Sequence, residues 1–398
     1  MSTLKRFSGL LGIMALLLAI GGCVSATVKS TSIPQIQTPP NAITEEKLLD
    51  IGIAIFDPGI DGELSETVFP EVRIAESRYM PFVLMEAVQN SAAWGAVRVV
   101  PDREQAVDLM VQATILHSDG EKLTLHVNAQ DSTGRAWLNR EYSGLASRYS
   151  YEQVTRHRLD PFQAVFNTIA NDLLDYQLAL EGDSAKEIRL VSEMKFARGF
   201  SPDAFSEYLA TDKKGNVTLA RLPAEDDPML NRIRSIRDRD YLFVDTLQEH
   251  YASFNSQMNK PYHEWRKQSY GEVIALRELR KAARDQLIGG VASVIAGIAA
   301  ASSGNRSARA AGNVAIAGGG YMVKAGLDKR SESEIHVEAL EELGTSLQAE
   351  VTPQVIQLED STVTLSGTVN DQYAQWRKLL KRIYDTEVGE LESAPEST

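Results

Sequence analysis

A single cysteine, Cys23, among 398 residues leaves this chain no internal disulfide. Whatever it folds into must be held by apolar burial and hydrogen bonding, so the placing of apolar residues decides the architecture. Lys5 and Arg6 give a basic start, residues 10–20 are almost wholly apolar, and Gly21 and Gly22 lead into Cys23. A basic start, an apolar run of about 7–15 residues and a small-residue end make a secretory signal over 1–22. The run is shorter than the ~20 residues a spanning helix needs. Cleavage there leaves Cys23 as the first residue.

The order Ile20-Gly21-Gly22-Cys23 resembles the lipobox of bacterial lipoproteins. The resemblance implies that Cys23 is acylated and that the chain meets a membrane through it. Lipoproteins retained in the inner membrane commonly carry Asp after the cysteine. Here that residue is Val24, which implies the outer membrane, facing the periplasm. Residues 23–46 read as a lipidated tether, because Ser30, Thr31, Ser32, Pro34, Pro39 and Pro40 cannot support a core. The net charge is −13, and losing a signal that carries two bases and no acid makes it more negative. An acidic chain repels nucleic acid and anionic surfaces at long range, so no nucleic-acid partner is expected. Membrane contact must come from acyl chains or apolar surface.

Residues 47–150 read as a small mixed α/β domain. Ile51, Ile53 and Ile55 form a strand closed by Asp57-Pro58-Gly59. A helix starting near Met80-Pro81 carries Phe82, Met85, Val88 and Ala92, with Pro81 in its first turn. Val97, Val99 and Val100 make a short strand. A three-strand meander follows, in which Leu123, Leu125, Val127 and Ala129 alternate with polar residues, giving one buried and one wet face. The opening strand with Asp57, and the meander with Asp131-Ser132-Thr133-Gly134-Arg135-Ala136-Trp137, resemble the periplasmic domain of the TolB amino-terminal region and the curli secretion lipoprotein. That resemblance implies partner binding and brings no catalytic residues. No pair of alternating apolar strands matches the curli protein's membrane hairpins.

Residues 151–286 are helical in pattern. Helices are expected after Pro161, over 185–197 and from Asp227-Pro228, the last broken at Pro261 and resumed from Tyr262; Ser201 reads as a helix cap, and 213–216 as a loop. The composition then shifts. Residues 287–301 and 308–326 are small and apolar around a polar turn, so 287–330 reads as a helical hairpin. Gly289, Ser293, Gly297 and Ala301 fall four apart in one arm, and Gly312, Gly319 and Gly326 seven apart in the other. Both spacings line small residues on one face, where backbones approach closely. Each Gly costs about 1 kcal/mol in a helix against Ala, so a packing reason is required. Three packings fit: internal burial, partial insertion into the bilayer, or self-association, which the small faces favour.

Residues 331–388 carry a helix, two strands around 359–361, and a helix capped by Asn370. "VTLSGTV" before that helix resembles the BON domain of periplasmic proteins, which implies membrane or lipid contact. Residues 389–398 form an acidic tail. The fold class expected is therefore α+β.

Catalytic spacing is not found. Gly199-Phe200-Ser201-Pro202-Asp203 lacks the last Gly of a nucleophile elbow. His263-Glu264 has Lys267 where a second zinc ligand would stand and reads as a surface pair. The other histidines, 117, 126, 157, 250 and 336, are scattered, with His126 on the wet face of its strand. Arg232, Arg234, Arg237 and Arg239, interleaved with Asp238 and Asp240, read as a salt-bridged face. Tyr241, Phe243, Tyr251, Phe254, Tyr262 and Trp265 read as packing residues. No metal or cofactor site is expected. The function expected is a non-enzymatic envelope scaffold or assembly component with protein partners. A regulator docking on a cell-wall synthase and an envelope hydrolase are the alternatives.

Overall fold

The computed structural model describes residues 33–61, 69–152, 159–224, 226–301, 354–357 and 362–393, with the backbone alone described at 276, 278–301, 354, 355, 357 and 389–393. Cys23, Gly312, Gly319, Gly326 and the helix expected before the BON-like hairpin lie outside these residues. The fold is α+β, built on a mixed five-stranded sheet of order β2-β1-β3-β4-β5. Strand β1 (Ile51–Ala54) is buried at every residue and runs parallel to both β2 (Val97–Val100) and β3 (Leu109–Ser118). A strand paired on both sides and covered on both faces has no wet positions to alternate with. Gly52 is where the covering loop comes closest: a Cβ there would stand 3.1 Å from the Val107 side chain.

Strands β3, β4 (Lys122–Asp131) and β5 (Ala136–Leu145) form the antiparallel meander. Leu123, Leu125, Val127 and Ala129 are fully buried, as the alternation requires. The Asp131-to-Trp137 turn is closed by one carboxylate. Asp131 Oδ1 accepts from Thr133 N–H (2.9 Å), Thr133 Oγ1 (2.5 Å) and Arg135 N–H (3.2 Å), while Oδ2 accepts Trp137 Nε1–H (2.8 Å). Gly134 takes φ +90°, a conformation side chains resist.

Helix α1 (Pro70–Gln89) starts earlier than expected, with Pro70 in its first turn and Pro81 inside it. A proline inside a helix frees the carbonyl four residues back. That carbonyl, Ser77 O, accepts Phe56 N–H at 3.0 Å, so the chain leaving β1 fills the gap. After the short helix α2 (Arg148–Glu152), α3 (Gln163–Leu178) packs on α1 and β5. Helix α4 (Ser184–Phe200) and the short α5 (Pro202–Phe205) lead to a hairpin of β6 (Leu209–Thr211) and β7 (Val217–Leu219), whose tip is the expected 213–216 loop. Ser201 precedes α5, but its side chain makes no cap bond.

Helix α6 (Pro228–Ala301) is unbroken for 74 residues, about 110 Å at 1.5 Å per residue. Pro261 therefore does not end it. Met258, Tyr262 and Trp265 are buried on either side of the proline, and Gln257, whose carbonyl Pro261 leaves unbonded, sits on the exposed side where water can bond it. The first small-residue arm is the end of this same helix rather than a separate element.

The hairpin of β8 (Gln354–Gln357) and β9 (Thr362–Leu365) precedes α7 (Val369–Ser393). Thr368, not Asn370, caps this helix: its Oγ1 accepts Asp371 N–H at 3.1 Å, and its own N–H donates back to Asp371 Oδ2 at 3.0 Å. Helix α7 also takes in residues 389–393 of the expected tail. Trp376 stacks on Phe243 of α6 at 4.8 Å, and Tyr384 meets Phe200 of α4 at 6.0 Å. The segments read as 47–150, 151–286 and 331–388 thus contribute to one hydrophobic core, within a unit spanning 33–398.

The last part of the tether is docked on this unit. Asn167 Nδ2 donates to Pro34 O (2.7 Å), Asn171 Nδ2 to Gln35 O (2.9 Å), and Gln37 N–H to Asn171 Oδ1 (2.9 Å). Residues 34–37 are strapped along α3, so this part of the segment read as a tether is held on the folded unit.

Candidate functional site

Where α4 and α6 meet the first residues of β1 and β3, a cleft of about 600 Å³ is lined by charge. Asp108 is the residue immediately before β3, and Asp50 the residue before β1. Asp108 Oδ2 accepts Asp50 N–H at 3.0 Å, and Asp50 Oδ1 accepts Ala96 N–H at 2.8 Å. From α6, Arg237 reaches Ser192 Oγ (2.7 Å) and Tyr241 OH (2.9 Å), with its guanidinium 3.7 Å from Asp108 Oδ1. Arg234 pairs with Glu193 at 2.6 Å. Burial raises the Asp108 carboxyl above its ordinary range, opposed first by Arg237. The Tyr241 phenol is pushed up to about 12, again mainly by burial.

Deeper in the core is a second cluster. Glu76 is fully buried on α1; its Oε1 accepts Ser118 Oγ–H and Tyr262 OH, each at 2.6 Å, and Arg73 stands 3.6 Å from Oε2. Arg266 forms a two-pronged pair with Asp160, at 3.0 and 2.8 Å, and lies 4.0 Å over the Tyr262 ring. Burial raises the Glu76 carboxyl, with Arg73 the largest opposing influence. A third buried acid, Asp240, has Arg377 of α7 at 3.2 Å and is likewise raised by burial.

The arginine cluster is salt-bridged, but with partners from other elements than Asp238 and Asp240. Arg232 and Arg239 meet Glu387, Arg234 meets Glu193, and Arg237 meets Asp108 in the protein rather than on a solvated face. His263 is not a surface residue: it is buried, 5.6 Å from the Tyr151 ring. His126 is half-buried. Phe243, Tyr251, Phe254, Tyr262 and Trp265 are core residues, and Tyr241 lines the cleft. Gly289, Ser293, Gly297 and Ala301 share the last turns of α6. Asp50, Asp108, Glu76 and Asp160 escaped the sequence reading, although two of them show a usable signal, an acid immediately before a buried strand.

Among the described residues no group of His, Cys, Asp or Glu is placed to hold a metal ion. No described helix is long and apolar enough to cross a membrane. No protein-family model matches this sequence, and no curated protein matches it.

Proposed function

We propose that this chain is a non-enzymatic lipoprotein of a bacterial outer membrane, facing the periplasm, that serves as a scaffold or assembly component of the envelope. One observation supports this most. Two ion pairs in the cleft tie elements together: Arg237 of α6 to Asp108 beside β3, and Arg234 of α6 to Glu193 of α4. These four side chains clasp α6 to α4 and to the start of β3, a structural task rather than proton transfer to a substrate. The mature amino end follows from the residue order around Cys23, and a helix of 74 residues offers a long surface to partner proteins.

Two measurements test the proposal. Cells supplied with labelled palmitate should incorporate it into the wild-type chain and not into Cys23→Ala; incorporation in the variant overturns the lipoprotein reading. Crosslinking in intact envelopes followed by purification should recover several envelope proteins. Recovery of a cell-wall synthase as the sole partner would replace the scaffold with a synthase regulator.

A further inference from the structure

We propose that one pole of the folded unit, the pole around the β3–β4 turn, lies against the bilayer that holds Cys23. The inference rests on the lipoprotein reading above.

The pole is assembled by contacts between distant segments. Gly120, at the tip of the turn, is pressed on α6 so closely that a Cβ would stand 2.1 Å from Arg266 O. Tyr151 of α2 donates to Gly120 O at 2.6 Å, and Gly120 N–H donates to Ser269 Oγ at 3.1 Å. Asp160, which precedes α3, is held by Arg266. Leu145, at the end of β5, is paired opposite Lys122 beside the same turn.

Apolar side chains collect here without cover. Eight large hydrophobic residues are exposed among the described residues, and five lie in segments that lead into this pole: Leu116 near the end of β3, Leu145 at the end of β5, Tyr149 of α2, Leu159 beside Asp160 and Ile33 beside the strap on α3. Tyr149 is 69% and Leu159 59% exposed. Single exposed leucines are ordinary on a protein surface, but a gathering of them marks a contact.

The chain itself says what the contact is with. The strap binds Gln37 and Gln35 at Asn171 and Pro34 at Asn167, so it runs toward the amino end of α3, which adjoins Asp160 and the pole. Ile33, the first described residue, therefore lies toward this end. Eleven residue steps separate Cys23 from Pro34, at most about 40 Å of extended chain. Covalent reach alone thus keeps Cys23 within that distance of Pro34.

Helix α6 points the same way. Along its length it meets β2 through Gln248, then Glu76 through Tyr262, Asp160 through Arg266 and Glu121 through Arg277. Its backbone continues 24 residues beyond Arg277, about 36 Å. The uncharged stretch 287–301 lies in that continuation, and its helical length, about 22 Å, is less than the ~30 Å hydrocarbon thickness. It can enter one leaflet without crossing. Pairing of small-residue arms between copies would leave Tyr149 and Leu159 in water; a bilayer at this pole covers both features.

The test uses the full-length acylated protein in vesicles of phosphatidylethanolamine and phosphatidylglycerol that carry a photoactivatable carbene on the acyl chains. Lipid adducts should map to the peptides bearing Tyr149 and Leu159 and to 287–301, and not to Leu222 or Leu242, which are exposed elsewhere. The double variant Tyr149→Ser, Leu159→Ser alters exposed positions only and should bring adducts at those peptides to background while the circular dichroism stays unchanged. Adducts confined to the acylated amino-terminal peptide overturn the proposal. So do crosslinks between copies through Tyr149 without lipid adducts. Labelled palmitate measured on the same sample separates the two readings: an unacylated Cys23 defeats the lipoprotein reading and this inference with it, whereas an acylated protein with a lipid-silent pole defeats this inference alone.

Discussion

Glu76 shows most sharply what a single residue must withstand in this fold. It has no exposed surface, and burial raises its carboxyl above the ordinary range despite Arg73, Ser118 and Tyr262. A carboxyl whose folded value is raised holds its proton more tightly in the native state than in the unfolded one. Its stabilising contribution is complete below the unfolded value and is lost as pH climbs through the folded value. Glu76→Gln keeps the Oε1 acceptor for Ser118 and Tyr262 and cannot titrate. In urea melts at pH 4 and pH 8, the variant should gain on the wild type toward pH 8, by about 1.4 kcal/mol for each unit the folded value is raised. Parallel stabilities at the two pH values would show that Glu76 keeps its charge at no cost.

Among the elements, strand β2 rests on a distant partner. Its outer edge would be an open ladder, yet the Gln248 side chain of α6 accepts Val99 N–H and donates to Val99 O, each at 2.9 Å. A side-chain amide thus takes the place of a sixth strand, and Arg98 pairs with Asp245 one turn away. Edges left open invite pairing with other chains. Gln248→Leu should expose both groups of Val99 and cost about 1–3 kcal/mol. Hydrogen exchange at the Val99 amide is the measurement, and unchanged protection would mean the edge has other cover. The meander was legible because period-two alternation survives in the residues themselves, as Leu123 to Ala129 show. The start of α1 was not, because Pro81 looks like a first-turn proline until Phe56 is seen filling the gap behind it. The Gln248 cap and the Asn167–Asn171 strap depend on amides more than 130 residues from their targets, and no local pattern announces such a bond. Strands of three residues, as in β6 and β7, are too short to carry a period.

At the scale of the whole molecule, changes of composition along the chain do not mark the limits of the core. Residues near 150 and 331 look like domain boundaries, but α7 closes on α6 and α4 through Trp376, Tyr384 and the Asp240–Arg377 pair. The same compositional reasoning missed Asp108, whose role depends on where Arg237 arrives from another element. Trp376→Ala should cost about 3–5 kcal/mol. It should also loosen α7 from the body, so that trypsin cuts at Arg377 and Lys381 in the variant before it cuts elsewhere. Equal resistance of variant and wild type would mean that α7 is held by its other contacts.

The Gln248 cap also sets an order of events in time. A ribosome adds roughly 5–20 residues per second, so the 149 positions between Val99 and Gln248 correspond to about 7–30 s of synthesis. The meander ends at Leu145, so for the last 103 of those positions, roughly 5–20 s, β1, β2 and the meander are all made while the β2 edge has nothing to close it. The nascent chain is therefore sticky on one side for far longer than its strands take to pair, and a holding chaperone has an extended edge to grip.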